Sequence, residues 1–114
     1  MNDEQYEDFN EYQQIAHSTA IYPPETGLYY TALGLAGEAG ELCNKVKKIL
    51  RDKGGVLDDA MRAALVDEAS DCCWYIAEFS TAIGVPLSAV IRRNVEKLSD
   101  RARRGKLSGE GDAR

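Results

Sequence analysis

The sequence predicts an all-α protein, in which four or five helices form a bundle around two long antiparallel central helices. Along four segments the apolar residues recur every three or four positions, which is the spacing of one helix face. No segment shows the strict alternation of a half-buried strand, and no internal repeat is evident. The 114 residues suffice for one domain, residues 1–114.

The first helix is predicted over residues 2–18. Its apolar positions are Tyr6, Phe9, Tyr12 and Ile15 or Ala16. We expect this amphipathic helix to pack as a strap over the others. Two prolines and a glycine within residues 19–27 predict a connector, so the N-terminal part spans residues 1–27.

The central helices are predicted from Leu28 to Arg51, with Thr26 as a cap, and from Asp58 or Asp59 to about Ile83. The apolar stripe of the second one is Leu65, Ala69, Cys72, Ile76, Phe79 and Ile83. Both exceed the usual length of about 10–14 residues. Because a short chain cannot cover both sides of such rods, we expect self-association, as a dimer or tetramer, to complete the bundle.

A fourth helix is predicted from Leu87 to Arg104, after the break at residues 84–86. The tail, residues 105–114, either closes over a site or frays, and the two hypotheses are held equal.

Composition excludes several classes of function. A net charge of −5 argues against a general nucleic-acid binder. No run of about 18 apolar residues and no signal peptide are seen, so neither membrane insertion nor export is expected. The cysteines Cys43, Cys72 and Cys73 lack metal-ligand spacing and are predicted to be reduced core residues of a cytoplasmic protein.

Two acidic pairs give the first indication of chemistry. Glu38 and Glu41 are three residues apart, which places them about 60° apart around a helix and roughly 4.5 Å along it. Glu68 and Asp71 repeat this spacing on the next helix. Four carboxylates pointing into one gap would repel one another, and a divalent cation resolves that conflict. An all-oxygen set selects Mg²⁺, or Mn²⁺.

Glycines accompany the first acidic pair at positions 34, 37 and 40. Each costs roughly 1 kcal/mol relative to Ala in a helix interior. Bare backbone must therefore be needed there, for a neighbouring helix or for a ligand against the carboxylates.

Basic residues supply possible phosphate contacts. Lys45 and Lys48 continue the face of the first acidic pair, and Asn94, Lys97 and Arg101 share one face of the fourth helix. Lysine and arginine one turn apart suit a di- or triphosphate.

Simpler interpretations stay open for all of these residues. Glu41 and Lys45 can form a salt bridge within one helix, and the basic face can be merely solvated. His17, the only histidine, is interpreted as a polar residue near a loop rather than a ligand, which excludes a di-iron site with Glu-x-x-His motifs. Trp74 and Tyr75 are interpreted as core or interface aromatics more readily than as stacking platforms for a base.

Three segments resemble the MazG-like members of the all-α nucleoside triphosphate pyrophosphohydrolases. They are Gly-Leu-Ala-Gly-Glu-Ala-Gly-Glu-Leu (34–42), Asp-Glu-Ala-Ser-Asp-Cys-Cys-Trp-Tyr (67–75) and Asn-Val-Glu-Lys-Leu-Ser-Asp-Arg (94–101). The resemblance covers roughly residues 28–112, and it makes residues 28–104 the catalytic helices. Cys72 and Cys73 stand where the second motif often has aliphatic residues.

The resemblance implies a Mg²⁺-dependent hydrolase that converts a (deoxy)nucleoside triphosphate to the monophosphate and pyrophosphate. It implies that Glu38, Glu41, Glu68 and Asp71 bind the metal. It implies that Lys48, Lys97 and Arg101 hold phosphates and that Asn94 contacts ligand or metal. The alternatives are a catalytically inactive helical nucleotide-binding or assembly protein, or the same chemistry on an alarmone or a modified nucleotide.

Overall fold

A computed structural model describes residues 1–109 and 111, and within them the protein is all-α. The helices are α1 (Asp3–His17), α2 (Gly27–Lys53), α3 (Asp59–Ala82) and α4 (Leu87–Arg103), with a short 3-10 turn at Pro24–Thr26. The predicted boundaries agree with these to within two residues. Two roles were predicted for the tail, residues 105–114. Residues 110 and 112–114 of this segment lie outside the described part.

The central helices pair antiparallel, as predicted. Going up α2, Gly27 lies against Ala82, Gly34 against Tyr75, and Lys45 against Glu68. Positions that are buried or half-buried recur every seven residues, at 31, 38 and 45 on α2 and at 61, 68 and 75 on α3. We call this line of contact the seam. Seven-residue recurrence is typical of two helices that pack along their length.

Local signals explain where these two helices begin and end. The Asp58 side chain accepts a hydrogen bond from the backbone N–H of Met61 at 2.8 Å, which caps α3. Gly54 ends α2 in the left-handed conformation, with φ of 60°. The prediction that Thr26 caps α2 was wrong. The Thr26 side chain accepts no hydrogen bond from α2, and its hydroxyl donates to the carbonyl of Pro23 at 2.7 Å.

The side chains of α1 support the start of α4. Pro86 precedes α4 and offers no side-chain cap. Instead, Gln13 accepts a hydrogen bond from the backbone N–H of Leu87 at 2.7 Å, and Asn10 accepts one from Ser88 at 2.9 Å. These bonds satisfy N–H groups that a helix leaves unpaired at its first turn. Thus α1 packs on α3 and α4, as a strap should.

The buried core is small. Ala16, Ala77 and Leu87 form it, with Phe9, Trp74 and Ile91 packed around them. Much of the predicted apolar stripe of α3 is instead exposed, at Ala69, Ile76 and Ile83. The stripe splits because the seam covers only the side of α3 that carries Leu65, Cys72 and Phe79. The prediction that all three cysteines are core residues was also wrong: they are free thiols, but Cys43 and Cys73 are exposed.

None of the described helices is by itself both long and apolar enough to cross a membrane. Only α3 and α4 taken together, across a bend of 106° between them, meet that length and composition.

Candidate functional site

Three of the predicted carboxylates meet at the middle of the seam. Glu38 from α2 and Glu68 and Asp71 from α3 each offer an oxygen, and these oxygens lie within 4.8 Å of one another. The antiparallel pairing brings Glu38 level with the space between the other two, one turn apart on α3. We call these three residues the acidic cluster.

The pKa of Glu38 reflects its position within the acidic cluster. Partial burial, and then the charges of Asp71 and Glu68, raise the pKa of Glu38 above its ordinary value. A hydrogen bond with Glu68 adds to the rise. Glu38 therefore holds a proton more readily than an isolated glutamate would.

A lysine partly neutralises this charge. Nζ of Lys45 lies 2.9 Å from Oε1 of Glu68, across the seam. That hydrogen bond raises the pKa of Lys45. The within-helix pair considered for Lys45 was with Glu41, whereas the structure pairs it with α3.

Glu41, the fourth predicted metal ligand, lies outside the acidic cluster. It is exposed on α2, one turn beyond Glu38, and its charge still contributes to the raised pKa of Glu38. Within a single chain the described residues thus bring three of the four predicted ligands together, with the last one beside them.

Only one of the three glycines in this region is explained by a neighbouring helix. A Cβ on Gly34 would overlap the ring of Tyr75. Gly37 and Gly40 have open space where a Cβ would stand. The bare backbone beside Glu38 and Glu41 is therefore accessible from outside.

Aromatic rings border the acidic cluster on one side. A shallow pocket of about 300 Å³ is lined by Glu38, Asp71, Trp74 and Tyr75. The Trp74 and Tyr75 rings meet edge to face at 4.9 Å, and Tyr30 lies 6.1 Å from Tyr75. Burial and a hydrogen bond with Tyr30 raise the pKa of Tyr75. Carboxylates and flat rings thus line one opening.

A buried carboxylate stands behind this aromatic group, and sequence reasoning missed it. Glu78 is fully buried, and its Oε1 accepts a hydrogen bond from the Tyr22 hydroxyl at 2.8 Å. Nδ1 of His17 lies 3.1 Å from the same oxygen, while Oε2 of Glu78 has no hydrogen-bond partner. Burial and the Glu78 hydrogen bond raise the pKa of Tyr22 to about 12.

The ring of Tyr22 links the hydrogen bonds of Glu78 and the connector (residues 19–27) to the aromatic pocket. The Tyr22 ring stacks on Tyr30 at 4.7 Å and meets Trp74 edge-on at 6.4 Å. Nε1 of Trp74 donates to Thr19 at 2.9 Å. The one usable sequence signal was a single acid on the apolar part of α3, and a lone residue gives no indication of its partners.

The predicted phosphate-binding residues are spread over other surfaces of the chain. Lys48 is exposed, and its charge adds to the Arg51 hydrogen bond that lowers the pKa of Asp52. Asn94 and Lys97 line a groove of about 470 Å³ on α4. Arg101 is buried, at 6% exposure. The groove shares no lining residue with the aromatic pocket.

Comparison with known proteins gives one clear relative. The gene 37 protein of Mycobacterium phage L5 is 48% identical over 109 residues, which covers 90% of this chain and 96% of the phage protein. No family model matches the chain. No solved structure matches it.

Proposed function

The chain belongs to the family of the gene 37 protein of Mycobacterium phage L5, and we propose that this member is a Mg²⁺-dependent nucleoside triphosphate pyrophosphohydrolase. It would convert a (deoxy)nucleoside triphosphate to the monophosphate and pyrophosphate. The observation that carries the proposal is the acidic cluster, three carboxylates from two helices with oxygens within 4.8 Å. The resemblance of the three sequence motifs supplies the reaction.

The donor set fits a hard cation. Three carboxylate oxygens match the preference of Mg²⁺ for oxygen ligands at about 2.1 Å. Oxygens on opposite sides of one such ion are about 4.2 Å apart, so the cluster needs only small side-chain rotations to hold it. Oε1 of Glu68 already accepts a hydrogen bond from Lys45, at 2.9 Å, so the lysine competes with a cation for this carboxylate. Mn²⁺ would fit the same set.

The reaction needs neutralised phosphate charge and an activated water. A Mg²⁺ ion held by Glu38, Glu68 and Asp71 would supply both, because it would polarise phosphate oxygens and lower the pKa of a water molecule. A carboxylate that the cation leaves free, such as exposed Glu41, accepts the proton of the attacking water. The open backbone at Gly37 and Gly40 leaves room for the polyphosphate beside these acids.

Cations are assigned to the pyrophosphate leaving group. Lys48, Lys97 and Arg101 would stabilise its developing charge, and Asn94 would contact the ligand or the metal. Of these residues, Asn94 and Lys97 line the groove on α4, which shares no lining residue with the aromatic pocket.

The decisive experiment incubates a panel of nucleotides with Mg²⁺ and scores pyrophosphate against orthophosphate. We expect pyrophosphate as the first product, and no turnover with a chelator. Asp71→Asn and Glu41→Gln should abolish turnover with helicity unchanged. The matched control is Asp67→Asn, an exposed acid of α3 outside the acidic cluster, which should retain activity.

Two results would count against the proposal. Orthophosphate as the first product would mean cleavage of a different bond. Unchanged kinetics in Lys97→Ala would remove the phosphate role of α4, since the loss of a phosphate contact should weaken binding or turnover.

A second candidate is a helical nucleotide-binding or assembly protein without catalysis. It is favoured by the observation that the α4 groove and the aromatic pocket have no lining residue in common. Binding of nucleotide with no turnover in the panel would select it. Turnover restricted to an alarmone or a modified nucleotide would select a third candidate, which is the same hydrolysis acting on another substrate.

The proposal also covers the cellular compartment and the oligomeric state of the enzyme. The enzyme would act in the cytoplasm on free nucleotides rather than on nucleic acid or at a membrane. It would act as a homo-oligomer, a dimer or a tetramer, because the long central helices surround so small a core.

A further inference from the structure

Lys45 stands beside the acidic cluster, in contact with one of its members. Its Nζ lies 2.9 Å from Oε1 of Glu68, across the seam. Glu68 in turn shares a hydrogen bond with Glu38. The ammonium group is therefore one carboxylate away from the meeting point of the three acids. A metal cation held by these acids would be repelled by it, because like charges this close together interact strongly.

The Lys45 side chain is able to change its partner. It is 39% exposed, whereas the side chain of Glu68 is 14% exposed. A lysine carries its charge at the end of a flexible four-carbon stem with three rotatable donors. Partly exposed ion pairs stabilise a protein only weakly. Lys45 can thus leave Glu68 by side-chain rotation, without any change in the helices.

The accessible part of α2 lies next to Lys45. Glu41 precedes Lys45 by one turn on the same face, roughly 6 Å along the helix axis, and it is exposed. Gly37 precedes Glu41 by one further turn, with open space where a Cβ would stand. This is the surface on which the proposed function places the polyphosphate. An ammonium group that leaves Glu68 therefore has this surface within its reach.

Charge decides which partner Lys45 takes. Three carboxylates face one ammonium group, so the acidic cluster by itself repels a polyphosphate. A divalent cation on the three carboxylates would reduce this repulsion, and it would also displace Lys45 from Glu68. Phosphate oxygens then offer the ammonium group a new anionic partner, and lysine binds phosphate well as a point charge.

We propose that Lys45 is a mobile counter-ion that couples the binding of the metal to the binding of the polyphosphate. It pairs with Glu68 when no cation is bound to that carboxylate, and it turns to phosphate oxygens when one is. Lys45 therefore weakens the binding of metal alone and strengthens the binding of metal together with polyphosphate. The inference rests on the proposed function for the two ligands, and it adds the coupling between them.

The test compares two ligands by calorimetric titration, Mg²⁺ alone and the complex of Mg²⁺ with inorganic pyrophosphate. In Lys45→Gln the dissociation constant of Mg²⁺ alone should fall on the order of fivefold, because a repelling charge is removed. The dissociation constant of the complex should rise about tenfold, because a charge-assisted hydrogen bond is lost. Lys47→Gln, at an exposed position on the same helix, should change neither value. Lys45→Arg keeps the charge and should change both values less than Lys45→Gln does.

Changes in opposite directions distinguish the coupling from simpler roles. A lysine that only repels the metal would give tighter binding of both ligands in Lys45→Gln. A lysine that only binds phosphate would give weaker binding of the complex and no effect on Mg²⁺ alone. Either result, or no effect on either ligand, would overturn the inference.

Amine labelling of the unaltered protein covers the case in which Lys45→Gln fails to fold. The rate of reductive methylation at Lys45, measured by mass spectrometry, should rise when Mg²⁺ alone is added, because the ammonium group loses its partner. It should fall again with Mg²⁺ and pyrophosphate together. Lys47 serves as the internal reference and should react at a constant rate. A Lys45 rate that does not respond to Mg²⁺ would overturn the inference.

The outcomes separate this inference from the proposed function. If the protein binds Mg²⁺ and releases pyrophosphate from a nucleotide, while Lys45→Gln behaves as the unaltered protein does, only the coupling is wrong. If the opposite changes are found without any turnover, the coupling stands and the catalytic proposal fails. If Mg²⁺ binds neither alone nor with pyrophosphate, both are overturned.

Discussion

Gly34 of α2 lies directly against the ring of Tyr75 on α3, so closely that a Cβ at position 34 would overlap the ring. This contact sets the spacing of the central helices one turn before Glu38. It also holds Tyr75 at the edge of the aromatic pocket. A backbone requirement on one helix thus positions a side chain of the other.

Gly34→Ala should therefore destabilise the protein. The added methyl group forces the Tyr75 ring or α2 to move, and overpacking of this kind costs about 1–3 kcal/mol. Gly37→Ala is the matched control, because a Cβ there meets open space. It should stabilise the protein by up to about 1 kcal/mol through helix propensity. Urea denaturation measures both, and equal effects of the two changes would contradict the seam contact.

Stability of the metal-free protein should depend on pH through Glu38. Its pKa is raised by partial burial and by the charges of Asp71 and Glu68, so the folded state holds this proton more tightly than the unfolded state. The contribution is therefore favourable at low pH and is lost as pH rises through the raised pKa. Glu38→Gln should weaken this loss and raise the melting temperature near neutral pH.

The measurement is thermal unfolding in chelator over a series of pH values. Glu11→Gln, a change at an exposed site on α1, serves as the control and should reproduce the unaltered profile. A Glu38→Gln profile parallel to the unaltered one would argue against repulsion within the acidic cluster.

Lys45→Gln should have opposite effects on stability and on metal binding. The lysine neutralises Glu68 at 2.9 Å, so its loss should lower the melting temperature of the metal-free protein. The same loss frees Oε1 of Glu68 and removes a positive charge near the cation. We expect the Mg²⁺ dissociation constant to fall on the order of fivefold, the size of a ~1 kcal/mol charge interaction. Calorimetric titration measures this, with Lys47→Gln as the exposed control, and weaker binding in Lys45→Gln would contradict the prediction.

Tyr22→Phe should destabilise the packing of the connector, residues 19–27, against α3. It removes the 2.8 Å hydrogen bond to buried Glu78, and bonds of this kind contribute about 1–3 kcal/mol. Because the pKa of Tyr22 is raised to about 12, the unaltered protein should lose stability as pH rises from the ordinary tyrosine value of about 10. The variant should lack that alkaline loss. Tyr29→Phe, at a tyrosine that is 70% exposed, is the control for chemical denaturation at each pH.

The sequence predicted the helices well because their signals are local. Apolar spacing marks α2 and α3, and the glycine at position 54 and the aspartate at position 58 mark their ends. The acidic cluster followed from spacing too, since residues three apart share a helix face. The spacing did not predict which acids belong to the cluster. The pairing register of the two helices decides that Glu68 and Asp71 face Glu38 rather than Glu41.

Contacts between segments that are far apart in the sequence could not be predicted. The hydrogen bond that Glu78 accepts from Tyr22 and its contact with His17 span more than fifty positions, and no pattern in any of the three stretches indicates them. The direction of α4 could not be predicted either: of the three residues expected on one face, Asn94 and Lys97 line a groove that follows the turn at residues 84–86, whereas Arg101 is buried. Helix periodicity fixes which residues point together, and it leaves the direction of the whole helix open.

Asn10 and Gln13 supply the hydrogen bonds at the start of α4 that Pro86 cannot. The two ends of the chain are therefore interdependent for folding, although some seventy positions separate them. A truncation that begins at the connector would take away more than a surface strap, since the last helix would lose the groups that anchor its first turn. Expression of shortened forms should accordingly yield chains in which the C-terminal region is readily digested by protease while the central hairpin resists.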